Sequence, residues 1–434
     1  PFSRNLAEEG VLIRNFKLVD AGQMREAELR ELLLSGPYPT RSVQDNLSDV
    51  AAQVAANNKG VQLLDELVER YSLPTVQAYM RHIRRAAAEK MRMALSAIRD
   101  GKYSRTEHLD NDAAIAVTIK INGEQATVDF TGTGPQMRGF KNSSIANTMS
   151  ATYMALGSFF PQDLPRNEGT FRSVSLVMPK GSAVNPRPPA PMTMNTVFIA
   201  HHIVHAIWQA LGTARPDLAC AGWGRSVHPT CAGHDSAHER DFIMYHWHGM
   251  PGAGAVEGRD GFGQIGHLNA LGGLTIPNLE DYEQLYPVRY IRQELRCDGG
   301  GPGKWRGGTG IEYTVETDNP AVFYFRSEGL GPPSGYGAHD GHAGAGGTLA
   351  VEELDGHHHT PPAYGKRQYQ RSICRAFSPG GGGWGDPLTR PVDAVLADVR
   401  GGLVSPECAA SDYGVVVATD GALDAGATQE RRLG

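Results

Sequence analysis

At 434 residues, with 40% apolar and 20% charged positions, the chain can bury a large core, and its length allows two to three domains. Fifty-three glycines and 27 prolines make it rich in tight turns and loops, where site residues tend to sit. A net charge of -6 provides no global positive field for nucleic acid or an anionic membrane, so neither is an expected partner.

The opening "PFSRNLAEEGVLIRNFKLVDAGQMREAEL" starts without Met and reads as the interior of a longer protein: a processed chain, a split subunit or part of one. No apolar run approaches the length of a membrane span and no leader pattern is visible, so a soluble cytoplasmic protein is expected. Cys220, Cys231, Cys297, Cys374 and Cys408 are odd in number and lack a C-x-x-C pair, which speaks against a disulfide framework or a closed zinc site.

From Val43 to Tyr71 apolar residues recur near helical spacing, with Gly60 a point of interruption or kinking. After Ser72 a second helix is expected, with Pro74 in its first turn, Val76, Met80, Ile83, Ala87, Met91 and Leu95 along one face, and Gly101 as its stop. The two form an antiparallel helical hairpin. Beyond Asp112 the period becomes alternating, and "AIAVTIKINGEQATVDFTG" predicts a β-hairpin about Asn122-Gly123. Helices are predicted over 143–160 and 195–212, the second apolar nearly all round and therefore buried. Between them lie a strand and a proline-rich connection. The segment 219–273 is irregular and rich in Gly, His and aromatics, and short strands alternate with Gly-rich turns from Tyr290 to Leu354.

The fold class expected is therefore α+β, a helical hairpin followed by a mixed, β-rich, Gly-rich region. Its divisions are a helical region over 1–110 with an extended lead, a mixed α/β core with His-rich loops over 111–275, and a β-rich region over 276–434.

Nine of the sixteen histidines fall between 201 and 267. In "SVHPTCAGHDSAHERDFIMYHWHG" a strand through residues 242–249 would set His246 and His248 on one face, as metal ligands or acid/base partners could be. The same spacing suits imidazoles that bond to backbone and fill a polar layer. His201, His202 and His205 read as core histidines of a buried helix, and "GHHHTPP" as a solvated turn. Asp129, Glu168 and Glu294 are candidate acids or bases, each equally readable as an ion-pair or turn residue. Neither "CDGGGPGKWRGGTG" nor "SPGGGGWGDP" is a nucleotide loop: Lys304 is followed by Trp305 rather than Ser or Thr, and no strand and helix flank them properly. Both read as turns that allow close backbone approach, and no G-x-S-x-G elbow is present.

Several stretches resemble one family: "LSDVAAQVAANNKGVQLLDELVERYSLPTVQAYM", "VDFTGTGPQ", "RNEGTFRSVSLVMPKGSAVNPRPPAP", "GHLNALGGLTIPNLEDYEQLYPVRYIRQELRCDGGGPGKWRGGTG" and "FSPGGGGWGDPLTRPVDAVLADVRGGLVSPECAASDYGVVV". They are similar to hydantoinase B subunits, the C-terminal part of 5-oxoprolinase and the large subunits of acetone and acetophenone carboxylases. The resemblance implies a subunit of an ATP-dependent hydrolase of cyclic amides, of hydantoin, lactam or 5-oxoproline type, shaping the chamber in which a phosphorylated intermediate is processed. The alternatives are a subunit of an ATP-dependent ketone carboxylase, or a non-catalytic structural subunit of such a complex.

It further implies a hetero-oligomer in which ATP and Mg2+ sit on a hydantoinase A-type partner, and a divalent metal (Zn, Mn or Fe) held mainly outside this chain. Relatives carry a His/Asp-rich segment upstream of where this sequence begins, expected here as a separate hydantoinase B piece or a part not included. Many have Tyr-Glu-Thr where this chain has Tyr245-His246-Trp247-His248, which points away from 5-oxoprolinase itself. The expected site residues are His246, His248 and His267, then Glu168, Asp129 and Glu294, with Lys304, Trp305, Arg306 and Asn167 for substrate or interface.

Overall fold

The computed structural model describes residues 2–160, 164–246, 248–268 and 276–433. It divides into two compact units, Pro1–Ala210 and Leu211–Gly434, a division that falls on neither of the expected borders, 110 and 275. Among the described residues no helix is long and apolar enough to cross a membrane.

Unit 1 opens with a short hairpin, β1 (Val19–Asp20) and β2 (Gln23–Met24), and the helix α1 (Glu26–Leu34). The helical hairpin follows as α2 (Val43–Tyr71) and α3 (Leu73–Ser96), joined at Ser72 in a left-handed conformation (φ 72°). α2 runs through Gly60 without a break: one glycine costs a helix only about 1 kcal/mol. α3 buries Ala87, Ala88, Met91 and Leu95 at its C-terminal end, the face its spacing predicts, while most of α2 stays exposed.

A four-stranded sheet comes next, in the order β3 (Gly101–His108), β4 (Ala114–Asn122), β5 (Gln125–Asp129), β6 (Val174–Val177). The alternation read from sequence is that of β4, whose Ile115, Val117, Ile119 and Ile121 face the core. β3, placed in the helical region by sequence, is instead this sheet's edge strand, paired along its whole length with β4. β5 and β6 are parallel, and the chain between them carries α4 (Ile145–Phe159), whose N-cap Ser144 accepts from the Asn147 N–H (3.2 Å). α5 (Ile199–Ala214) is buried along nearly its whole length, as its nearly all-round apolarity predicts.

Unit 2 is built on two antiparallel sheets. Its elements are β7 (Thr230–Asp235), β8 (Arg240–Tyr245), α6 (Leu279–Leu285), β9 (Val288–Leu295), β10 (Ile311–Thr317), β11 (Ala321–Arg326), β12 (Thr348–Glu353), β13 (His358–His359), β14 (Tyr364–Tyr369) and β15 (Ser372–Phe377). One sheet has the order β13-β12-β15-β10-β9 and the other β14-β11-β7-β8. Side chains of both fill one core, with Tyr313, Val315, Val351 and Cys374 from the first and Cys231, Met244, Phe323 and Phe325 from the second. The last forty residues depart from the β-rich expectation. They form α7 (Val392–Arg400), α8 (Pro406–Asp412) and α9 (Ala425–Leu433), with a small core of their own around Val395, Ala409, Tyr413 and Val415.

The Gly-rich segments are more than simple turns. They lie side by side and bond backbone to backbone: Gly301 N–H to Gly381 O (2.8 Å), Gly381 N–H to Gly308 O (2.9 Å), Gly308 N–H to Ala253 O (2.8 Å) and Gly382 N–H to Gly222 O (2.9 Å). The chains approach so closely that a Cβ on Gly307 would run into the Gly381 carbonyl, and one on Gly381 into that of Ala253. Glycine is therefore required by packing between segments from distant parts of the sequence.

Candidate functional site

In unit 2 the segment before β7 and the segment after β8 continue as neighbours, with the His246 N–H on the Pro229 carbonyl (3.0 Å) and the Val227 N–H on the Gly249 carbonyl (3.0 Å). This pairing carries Ser226 and His228 on one side and His246 and His248 on the other into a buried layer. His267 joins them: its ring lies 4.9 Å from that of His228, edge to face, and its Nδ1 is 3.4 Å from the Ser226 hydroxyl. Arg326 and Glu328, at and just beyond the end of β11, act on His267 electrostatically, the guanidinium against its protonation and the carboxylate for it. Arg326 stacks on the Tyr245 ring at 4.4 Å, and Glu328 accepts from the Tyr364 hydroxyl (3.2 Å).

Burial sets the charge state. It pushes His267 down to about 4 and His246 to about 3, with His248 adding to the second shift, and holds His228 well below the usual imidazole value. At neutral pH these rings are uncharged. His248 has both nitrogens occupied: Nε2–H donates to the Pro277 carbonyl (3.1 Å), so Nδ1 accepts from the Tyr290 hydroxyl (2.7 Å). His246 packs against Tyr313 and Phe323, with ring centroids at 6.0 and 5.7 Å. Because β8 ends at Tyr245, a strand does not carry the predicted alternation through His246 and His248. Trp247 and residues 269–275 lie outside the described residues.

The other expected site residues have partners of their own. Glu168 and Asn167 belong to unit 1, where Asn167 caps a single turn by accepting from the Gly169 N–H (2.8 Å). Glu168 is exposed between Arg84 (3.0 Å) and Arg172 (3.4 Å), and these cations lower its pKa, Arg84 first. Asp129 ends β5 and accepts from the Thr131 N–H (2.8 Å), holding a turn. Glu294, on β9, pairs with Arg292 (2.6 Å) at the surface.

Lys304 is exposed, Trp305 exchanges two backbone bonds with Trp384 (2.9 Å each), and Arg306 is buried in an ion-pair cluster. Its Nε lies 3.3 Å from Asp398, whose carboxylate also takes Arg390 (2.8 Å), while Arg390 grips Asp260 with two bonds (2.8 and 2.7 Å). The cations flanking Trp305 thus divide into one solvated and one that fastens the glycine layer to α7.

Sequence reasoning singled out His246, His248 and His267 but not His228, Ser226, Arg326 or Glu328. The available signal was "VFYFRSEG", an apolar strand closed by a cation and an acid, beside the His-rich block. Among the described residues no three His, Cys, Asp or Glu side chains gather as metal ligands would.

The family model described as hydantoinase B/oxoprolinase matches residues 1–387. The beta subunit of caprolactamase from Pseudomonas jessenii is 34% identical over 451 residues, spanning 100% of this chain and 76% of that one. The putative B subunit of a D-/L-hydantoinase from Pseudomonas sp. (strain NS671) is 30% identical, over 98% and 73%. The crystal structure of the ATP-dependent caprolactamase superposes with a TM-score of 0.84 over 99% of this chain and 76% of that one, at 31% identity. Acetone carboxylase in its nucleotide-free structure also gives 0.84, over 100% and 64%, but at 18% identity, a likeness of fold.

Proposed function

From its place in the hydantoinase B/oxoprolinase family, to which this chain belongs, we propose that it is a subunit of an ATP-dependent enzyme that hydrolyses a cyclic amide of lactam or hydantoin type. The observation that carries this reading is the 34% identity, along the entire chain, with the beta subunit of a caprolactamase. Similarity to proteins named as beta and B subunits supports a hetero-oligomer. In it, ATP and Mg2+ belong to a hydantoinase A-type partner, and the divalent metal is held mainly outside this chain.

Within this chain the proposed site groups are His267 and His228 with Ser226 and Arg326, backed by His246 and His248. Neutral imidazoles of depressed pKa accept hydrogen bonds from water or an amide N–H without becoming charged. They suit the orientation of a nucleophile in a dry chamber better than storage of its proton. Glu168, Asp129 and Glu294 serve structure.

The test is ATP hydrolysis by the complex copurified with its partner, in the presence of caprolactam, hydantoin or 5-oxoproline. Stimulation by a cyclic amide is expected. The shared fold with acetone carboxylase supports a second reading, which stimulation only by a ketone with bicarbonate would establish. In that same assay His267→Ala should abolish turnover while leaving assembly intact; an unchanged rate would assign this chain a structural role.

A further inference from the structure

All five cysteines are free thiols, and the site described above uses none of them. Three are of the inert kind. Cys231 and Cys374 are fully buried in the core between the two sheets, and burial pushes the Cys374 and Cys220 thiols up to about 12. Cys297 and Cys408 differ: the first is exposed and the second only half-buried.

These two are distant in sequence, yet the fold brings them to one residue. Cys297 follows β9 and immediately precedes Asp298, which takes a left-handed conformation (φ 55°) and is tied twice to the segment leading into α8. The Asp298 N–H donates to the Leu403 carbonyl (3.0 Å), and its carboxylate accepts from the Ser405 N–H (2.7 Å). Ser405 caps α8, its hydroxyl accepting from the Cys408 N–H (3.1 Å). A chain of three hydrogen bonds thus seats Cys408 beside the neighbour of Cys297. Both thiols feel the same carboxylate. Burial first, and then Asp298, raise the two of them; Ser405 opposes the shift at Cys408, while Cys408 adds to that at Cys297 and Asp412 to that at Cys408. A disulfide asks for Cβ atoms about 3.5–4.5 Å apart, a separation open to two thiols that share one carboxylate.

We propose that Cys297 and Cys408 form a redox-sensitive pair, open in the reduced protein and closed to a disulfide by hydrogen peroxide, which staples α8 to the entrance of the glycine layer. Peroxide meets the exposed Cys297 first. Its thiolate attacks one peroxide oxygen, an S–O bond forms, the O–O bond breaks and hydroxide leaves, giving a sulfenic acid. The Cys408 thiolate then attacks that sulfur, an S–S bond forms, the S–O bond breaks and a second hydroxide leaves. With the two thiol protons, the sum is two thiols and one peroxide to one disulfide and two waters, two electrons passing from sulfur to oxygen. Asp298 is the brake, because it holds down the fraction of thiolate, the attacking form. The ring that closes, about 110 residues round, contains both Gly-rich segments and α7, so the staple reinforces the layer that Arg390 fastens. The inference is independent of the substrate and of the ATP-binding partner.

The test treats the full reduced chain with hydrogen peroxide, unfolds it, and alkylates the remaining thiols for intact mass. Three of the five cysteines should still alkylate, and digestion should release one linked pair of peptides carrying Cys297 and Cys408, which dithiothreitol separates. The oxidised chain should melt roughly 4–16 °C above the reduced one. Cys297→Ser and Cys408→Ser should each abolish both the link and the shift. Asp298→Asn, which keeps an oxygen for the Ser405 N–H, should form the link about threefold faster or more. Five alkylated thiols after peroxide, links between chains, or sulfinic and sulfonic acids at Cys297 in place of the disulfide would overturn the proposal. So would a link through Cys220, Cys231 or Cys374, or an Asp298→Asn rate no faster than wild type.

Discussion

Replacing Arg390 by Met should be among the most damaging single changes in unit 2. Its guanidinium makes four bonds, two to Asp260 (2.8 and 2.7 Å), one to Asp398 (2.8 Å) and one to the Lys304 carbonyl (3.0 Å). Arg390 and Asp398 are both buried. Removing the cation leaves Asp398 with Arg306 alone, and strips Asp260 of the partner that holds it under the Arg306 N–H (2.7 Å). Breaking a buried pair from one side costs about 3–5 kcal/mol, because the remaining charge is desolvated and uncompensated. For a unit of this size that corresponds to a melting point lowered by roughly 6–20 °C. Thermal unfolding followed by tryptophan fluorescence reads this unit directly, since Trp305 and Trp384 lie on the strap that Arg390 anchors. Arg390→Lys, which keeps the charge but loses the fork, should fall between. Arg292→Ala, which removes surface pairs with Glu294 and Glu312, should change stability by no more than about 1 kcal/mol. A melting point for Arg390→Met within about 2 °C of wild type (about 1 kcal/mol or less), or a loss no larger than that of Arg292→Ala, would refute the view that this cluster fastens the glycine layer.

Gly381→Ala adds one methyl where the Ala253 carbonyl already stands, so the segments must part; a loss of about 3 kcal/mol or more is expected by urea denaturation, and a neutral result would mean the layer is looser than described. For His267 the unfolded ring takes up a proton near 6.5 and the folded ring only near 4, so its contribution to stability is complete above pH 6.5 and is lost as pH falls toward 4, at up to about 1.4 kcal/mol per pH unit. Denaturation at several pH values should show a shallower acid slope in His267→Gln, and an unchanged slope would contradict the buried neutral ring. Tyr290→Phe leaves His248 Nδ1 without its donor and should cost about 1–3 kcal/mol in the same measurement, whereas a stabilised variant would speak against that bond. Glu168→Gln should leave turnover of the assembled complex within about twofold, since an exposed ion pair contributes about 1 kcal/mol at most; loss of turnover with assembly intact would return Glu168 to the reacting centre.

What could be read in advance follows from how local each signal is. β4 was legible because Ile115, Val117, Ile119 and Ile121 alternate strictly. α3 was legible because Ala87, Met91 and Leu95 recur at the helical period and end before Gly101. β3 was not, because "GKYSRTEH" offers no apolar alternation, being an edge strand whose place is set by pairing with β4. The C-terminal helices were hidden by their length, nine, seven and nine residues, too short for periodicity to stand out from the Gly-rich sequence before them.

The site shows the same limit more sharply. The His-rich block drew attention to His246 and His248, which are two positions apart in sequence, yet the ring that His267 meets edge to face is that of His228, 39 positions away in the chain. The cation that bears on both comes from the end of β11. Arg306 shows why residue type could not decide its role: beside an exposed Lys304 it read as a contact for substrate or interface, and only Asp260 and Asp398, placed by the fold, make it a strut. Both results trace to the glycines. Because glycine stands at the points of closest approach, the segments around 253, 301–308 and 380–383 come within backbone hydrogen-bonding distance, a contact no periodic pattern announces. In unit 2, then, the clustering of the histidines and the rigidity of the glycine layer are specified by long-range approach, and the residues involved stand out only once their partners are in place.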